Sequence, residues 1–280
     1  MSEVLLIGSR GTLGAYLAET LISKYTVRTF DRKFSKEVSH TSELGNLLVQ
    51  HSITSIINCV GATDVKRCEI DKEYAYNGNT VVPEVITRIS KHVVKPCHVI
   101  NFSTDQVYPG TGNASEEDIS PVNEYGRSKL VGEQMLSSNA CNLRINYVSK
   151  GRNRSSFSDW IVNTAKRMDQ VSLYNDVYFN PVDLRTLGNC VEHILENTIT
   201  GTFNIGAHSK LSKAEFYTNL TQMLGISNPN TILKNYSELS ATPRPLDMSM
   251  SIEKACEYGF ILPSMSNVFE NLAKEYRDAN

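Results

Sequence analysis

The 280-residue chain is short of most features that would mark a specialised partner. No uninterrupted apolar run exceeds that of Val4–Ile7, far below the ~20 residues a bilayer span requires. Met1-Ser2-Glu3 carries neither the basic nor the apolar region of a secretory leader, so a cytoplasmic location is expected. Charge of one sign is also missing. Lys and Arg number 28 against 30 Asp and Glu, for a net charge of −2, which disfavours nucleic acid and anionic membrane as partners. The six cysteines, at 59, 68, 97, 141, 190 and 256, form no C-x-x-C pair, and the six histidines form no H-E-x-x-H cluster. Reduced thiols and no metal are expected. Such a length needs no disulfide staple to build a core.

Short β-like runs do alternate with helical periods through the first half. Val4–Ile7, Thr26–Phe30, Ser55–Val60, Val99–Ser103 and Asn142–Asn146 read as strands. Leu13–Ser23, Ser42–Gln50, Val81–Lys91 and Tyr125–Leu136 read as helices between them. That alternation predicts an α/β fold, a Rossmann-type doubly wound parallel sheet whose ligands gather at the carboxyl ends of the strands. Past Tyr147 the rhythm loosens. Helices are expected over Ser158–Met168, Leu187–Asn197, Ser212–Leu224 and Asn267–Tyr276, with strands at Val171–Leu173 and Thr202–Ile205. The organisation expected is a dinucleotide-binding domain over 1–146 and a smaller mixed α/β substrate-binding lobe over 147–280, whose chain crosses back to the sheet.

Gly8-Ser9-Arg10-Gly11-Thr12-Leu13-Gly14 joins the first strand to the first helix. A tight turn, close backbone and a helix amino terminus suit a pyrophosphate there. Asp31, at the tip of the second strand, suits the hydroxyls of an adenosine ribose and argues for NAD. Arg10, Arg32 and Lys33 stand ready to pair with a 2′-phosphate, which keeps NADP open; NAD is slightly favoured and dual use is allowed. Tyr125 and Lys129, four residues apart on a helix, share one face, and Thr104 ends the fourth strand. A neighbouring ammonium favours a phenolate, which would draw Tyr125 toward the neutral range as proton donor, while Thr104 would polarise a substrate oxygen.

These stretches resemble the extended short-chain dehydrogenase/reductase family and, within it, the dTDP-4-dehydrorhamnose reductases. The likeness runs through Gly8–Gly14, Asn58–Thr63, Tyr76-Asn77, Ser103–Gly110, Pro121–Glu133 and Leu143-Arg144, and thins afterwards. It implies an NAD(P)H-dependent reductase of a 4-keto-6-deoxy nucleotide sugar in deoxysugar or polysaccharide biosynthesis, with Thr104, Tyr125 and Lys129 catalytic. The loop Val60-Gly61-Ala62-Thr63 would hold the cofactor, Thr63 lying near the nicotinamide. Substrate contacts are implied for Thr104, Asp105 and Tyr147, the last replacing a tryptophan usual in the family. Arg244, between two prolines, is a candidate donor to a diphosphate. Some relatives bridge subunits through Mg²⁺ on glutamates; Tyr16 and Arg185 stand at the matching positions, so no such metal is expected, and a homodimer is left open. The alternatives are an epimerase on this fold and a regulatory subunit like that of methionine adenosyltransferase. Asp105-Gln106 in place of the Asp-Glu of dehydratase relatives argues against dehydration. Two further features have bland readings: Lys150–Arg154 as a solvated basic run beside the pocket, and Trp160 as core packing.

Overall fold

The structure is a computed structural model that describes residues 2–31, 39–90, 97–236 and 243–278; Arg32 and Lys33 lie outside the described residues. In chain order the elements begin β1 (Glu3–Ile7), α1 (Thr12–Leu21), β2 (Thr26–Phe30), α2 (Ser39–Gln50) and β3 (Ile53–Asn58). Then come α3 (Val65–Ile70), α4 (Lys72–Asn79), α5 (Val81–Ser90), β4 (His98–Thr104), a 3₁₀ turn (Asp105–Val107), α6 (Glu124–Met135) and β5 (Ala140–Ile145). The later half holds β6 (Tyr147–Val148), α7 (Phe157–Lys166), β7 (Val171–Tyr174), β8 (Tyr178–Phe179), β9 (Val182–Asp183), α8 (Leu184–Asn197) and β10 (Gly201–Ile205). It ends with β11 (Leu211–Ser212), α9 (Lys213–Met223), β12 (Thr231–Lys234), α10 (Glu253–Glu257) and α11 (Met265–Arg277). Among the described residues no helix is long and apolar enough to cross a membrane.

Six strands form one parallel sheet in the order β2-β1-β3-β4-β5-β10. Strand period decides which face each residue serves. Val4 and Leu6 join the core that includes Leu17 of α1 and Leu187 and Val191 of α8, while Leu5 and Ile7 join Leu44, Leu48, Val85 and Ile86 of α2 and α5 on the opposite face. The order reverses between β1 and β3, so the loops leaving those strands diverge and open a crevice at their carboxyl ends.

The last strand, β10, comes from beyond Tyr147 and pairs with β5 from Gly201↔Cys141 to Ile205↔Ile145. A separate apolar core gathers Ile161, Val162, Leu173, Phe216, Leu220 and Leu272 from α7, β7, α9 and α11. Three of the helices around it open on side-chain caps: Ser156 with Asp159, Ser212 with Glu215, and Ser264 with Asn267.

Two differences from the sequence reading have local causes. The third strand stops at Asn58 rather than Val60, because the Asn58 carboxamide oxygen accepts from Val60 N at 3.1 Å and turns the chain out of the sheet. Helices α3 and α4 lie where none was expected; both are short and polar, and each starts on an aspartate, Asp64 capping Arg67 N and Asp71 capping Tyr74 N.

Candidate active site

The glycine loop is built by contact as much as by flexibility. Gly8 sits at φ +88°, which favours glycine, and a Cβ on Gly14 would collide with the Gly8 carbonyl. Gly11 differs. Its backbone is extended, and a Cβ there would meet only Gly8 O, at an ordinary 3.6 Å. Nothing in the protein itself demands glycine at that point. No side chain caps α1 and no acid occupies its first turn, so its leading N–H groups are available to a pyrophosphate laid against Gly11, as the fit of a dinucleotide requires. Thr12 is half-buried, while Leu13 packs into the core and so offers the crevice only its backbone.

Asp31 stands at this loop, but the loop uses it. Ser9 donates to its carboxylate twice, from N at 2.7 Å and from Oγ at 2.5 Å, and the exposed Arg10 guanidinium lies 3.9 Å away. The expectation of a carboxylate free for the ribose is therefore modified: part of its capacity fixes the loop, and a cation beside it offsets its charge.

The opposite wall of the crevice is the loop after β3. A line of buried carboxamides crosses the sheet, Asn101 donating to Asn142 at 2.8 Å and Asn58 donating to Asn101 at 2.9 Å, and ends on Val60 N. Asn79 holds the next residues, accepting from Ala62 N at 2.8 Å and donating to Ala62 O and to Ser128 Oγ. Gly61 and Thr63 follow on this wall, Thr63 being exposed.

Helix α6 brings Tyr125 and Lys129 over the end of β4. Asn123 caps it, accepting from Gly126 N at 2.8 Å, and a Cβ on Gly126 would collide with the Gln106 carbonyl. Only glycine lets the helix sit this low. The Lys129 ammonium donates to Phe102 O at 3.0 Å and more weakly to Val60 O at 3.5 Å. Its burial lowers its pKa to about 8, against the pull of Glu133. The Tyr125 phenol lies beside Thr104, so the structure brings the three expected catalytic groups to one place. Tyr125 nevertheless departs from expectation: burial and the field of Asp105 hold it above the ordinary phenol value, outweighing the help of the Thr104 hydroxyl. Lys129 directs its donors to backbone carbonyls, and desolvation wins at Tyr125.

Asp105 is buried behind Thr104, accepting from Thr104 Oγ1 at 3.0 Å and from Asn146 Nδ2 at 2.5 Å. Burial raises its pKa, and the same effect lowers that of Lys213, which faces it from α9. Lys213 projects into a cavity of about 740 Å³ lined also by Gln106, Asn146, Phe157, Trp160 and Arg244. Its ammonium lies 3.1 Å from the Phe179 ring centroid and 4.7 Å from that of Phe157. Phe157 and Trp160 stack at 5.9 Å, and Trp160 is 41% exposed, which corrects its reading as a core residue. Arg244 is exposed and lines the cavity. Tyr147 pairs with Val182 and lies near Tyr125 instead of lining this space; Asn146 lines it in its place. The basic run is not merely solvated. Arg152 pairs with Glu19 of α1, Asn153 donates to Arg10 O at 2.6 Å, and Arg154 donates to Thr63 Oγ1 at 2.8 Å, so a strap joins the two walls of the crevice. Sequence reasoning misses Lys213 because Ser212-Lys213 reads simply as a helix start; the Phe157–Trp160 spacing is the one signal for an aromatic platform.

A family model described as the RmlD substrate binding domain matches residues 1–277. A probable low-salt glycan biosynthesis reductase from Haloferax volcanii is 27% identical over 238 residues, 78% of this chain and 79% of that protein. The dTDP-4-dehydrorhamnose reductase of Salmonella typhimurium is 27% identical over 202 residues, 69% of this chain and 67% of the relative. In fold, the chain matches the dTDP-4-dehydrorhamnose reductase of Bacillus anthracis solved in complex with NADP, with a TM-score of 0.89 at 22% identity, covering 98% of this chain and 100% of that one.

Proposed function

The chain belongs to the RmlD substrate binding domain family, and from that premise we propose that it reduces the ketone of a 4-keto-6-deoxy nucleotide sugar, a step in making deoxysugar building blocks. One observation carries the reading: Thr104 and Tyr125 lie side by side beneath the crevice, with Lys129 on the same helix and the aromatic, cationic cavity adjoining. The glycine loop, the α1 amino terminus and the wall from Val60 to Thr63 would hold a nicotinamide dinucleotide, which supplies two electrons to the carbonyl carbon when bound. Tyr125 gives the proton to the carbonyl oxygen. Thr104 steadies that oxygen as charge develops on it, and Lys129 holds the ribose side of the cofactor. A bound oxidised nicotinamide would supply positive charge that opposes the burial holding the Tyr125 proton affinity up.

Stacked Phe157 and Trp160 suit a nucleobase, while Lys213 and Arg244 suit a diphosphate. NAD and NADP are both accepted on this reading: Asp31 favours the former, and Arg10 beside it softens the repulsion of a 2′-phosphate. The test follows loss of reduced-nicotinamide absorbance with dTDP- and UDP-linked 4-keto-6-deoxyhexoses. Turnover is expected with at least one, and Tyr125→Phe should lower it by about a thousandfold while the cofactor Kd stays within about twofold. Tight cofactor binding without turnover on any sugar would favour a regulatory role instead.

A further inference from the structure

One stretch of chain touches both the crevice and the cavity. The strap runs straight into α7, whose first turn carries Phe157 and Trp160. Its inner side is firmly held. Gly151 N and Ser156 N both donate to Asp159 Oδ2, at 2.8 and 2.9 Å, and Tyr276 OH of α11 donates to Oδ1 at 2.7 Å. Ser156 Oγ accepts from Asp159 N at 3.0 Å and donates to Ser149 O at 2.6 Å. A Cβ on Gly151 would collide with the Arg154 carbonyl oxygen, so only glycine lets the loop turn this tightly. The outer side is different. Arg152, Asn153 and Arg154 are exposed, and surface contacts such as theirs to Glu19, Arg10 O and Thr63 Oγ1 hold little by themselves. Arg154 gives a single hydrogen bond, to Thr63, among the described residues. A guanidinium has five N–H donors, so most of them remain for an anion in the crevice. At the other end of the segment, Phe157 and Trp160 line the cavity, and Phe157 also lies 5.8 Å from the Phe216 ring of α9.

We propose that this segment couples the two sites. A dinucleotide between the crevice walls gives Arg154 an anionic partner and orders the outer side of the strap. The Asp159 hub passes that order to Phe157 and Trp160, so a nucleoside diphosphate binds the cavity more tightly once the cofactor is in place. Ordering the segment has an entropic cost that the first ligand bears and the second does not. The effect is reciprocal, each ligand tightening the other by the same factor. Asn153 and Arg154 are therefore positioning residues for a cavity they do not line. This rests on the reading of the crevice as a dinucleotide site and the cavity as a nucleotide-sugar site, and adds to it a dependence of one on the other.

The full-length protein is titrated calorimetrically with dTDP and with UDP, alone and in saturating NADP⁺ or NAD⁺. A nucleoside diphosphate lacks the sugar that would meet the nicotinamide, so coupling read with it passes through the protein. Cofactor should lower the Kd of the tighter diphosphate about fivefold or more, and the diphosphate should lower the cofactor Kd by the same factor. With Asn153→Ala and Arg154→Ala combined, both ligands should still bind, and the two Kd values for the diphosphate should become equal. Trp160, the only tryptophan of the chain, gives a second reading. Oxidised cofactor, which does not absorb tryptophan emission, should reduce acrylamide quenching of Trp160 in the parent and leave it unchanged in the double variant. Equal diphosphate Kd values with and without cofactor in the parent, coupling that survives in the double variant, or unchanged Trp160 quenching in the parent would each overturn the proposal. A parent that binds no dinucleotide, or neither diphosphate, removes the reading of the sites and the coupling together; ligands that bind independently remove the coupling alone.

Discussion

Lys129 carries a positive charge into the protein interior, 6% exposed, where two backbone carbonyls and the field of Glu133 meet it. Its folded pKa of about 8 lies below the ordinary 10.5, so the unfolded chain binds the extra proton between those values. Stability from this group is therefore lowest below pH 8 and rises as pH climbs from about 8 toward 10.5. Lys129→Met should be more stable than the parent at pH 7, on the order of 2 kcal/mol in urea denaturation, and should lack that rise. The same variant should lose activity about a hundredfold. On the proposed reading, the lysine serves chemistry at a cost in stability.

At the scale of elements, the strap from Lys150 to Arg154 ties separate parts together. Lys150 N reaches Glu275 of α11 at 2.7 Å and Gly151 N reaches Asp159 of α7 at 2.8 Å, while Asn153 and Arg154 hold the two crevice walls. A dinucleotide bound as proposed would lie between the walls that this strap joins. Replacing Asn153 and Arg154 together by Ala should speed cofactor release about tenfold in stopped-flow fluorescence, with little change in melting temperature, because both side chains are exposed.

The strap also marks where the sequence stops being legible. Apart from the short, polar α3 and α4, the strands and helices before Ile145 are readable because their apolar periods are strong, and the resemblance through Ser103–Glu133 is enough to group Thr104, Tyr125 and Lys129. The cavity is not readable. Its walls come from α7, β7, α9 and the segment around Arg244, far apart in the chain, and a lysine at a helix start has no local pattern that reveals what it faces. Asp31 does stand beside the glycine loop at the tip of its strand, yet its capture by Ser9 depends on how that loop turns.

Across the whole molecule, a buried polar knot joins the sheet to the later half. Arg144 of β5 makes two-pronged contact with Glu133 of α6, Nη2 to Oε2 at 2.7 Å and Nε to Oε1 at 3.1 Å, and its Nη1 donates to Glu116 O and Tyr108 OH. Ser103 also donates to Glu133, and Tyr108 OH donates to Asn204 of β10, whose N donates to Glu116. Arg144 is 3% exposed, so Arg144→Met should cost about 3–5 kcal/mol in urea denaturation, by leaving Glu133 charged and unpaired. The loss should extend to every element of the knot, read as lost amide-exchange protection in β10 as well as in β5.

That β10 closes the sheet has a consequence for the chain as it is made. On the ribosome, β5 emerges with its outer rim bare and must wait through the whole stretch from Asn146 to Thr200 before its neighbour arrives. During that interval the nascent polypeptide offers a ready template to any extended stranger, which makes holding factors and a brisk pace of translation over those codons matter more for yield than the stability of the finished fold.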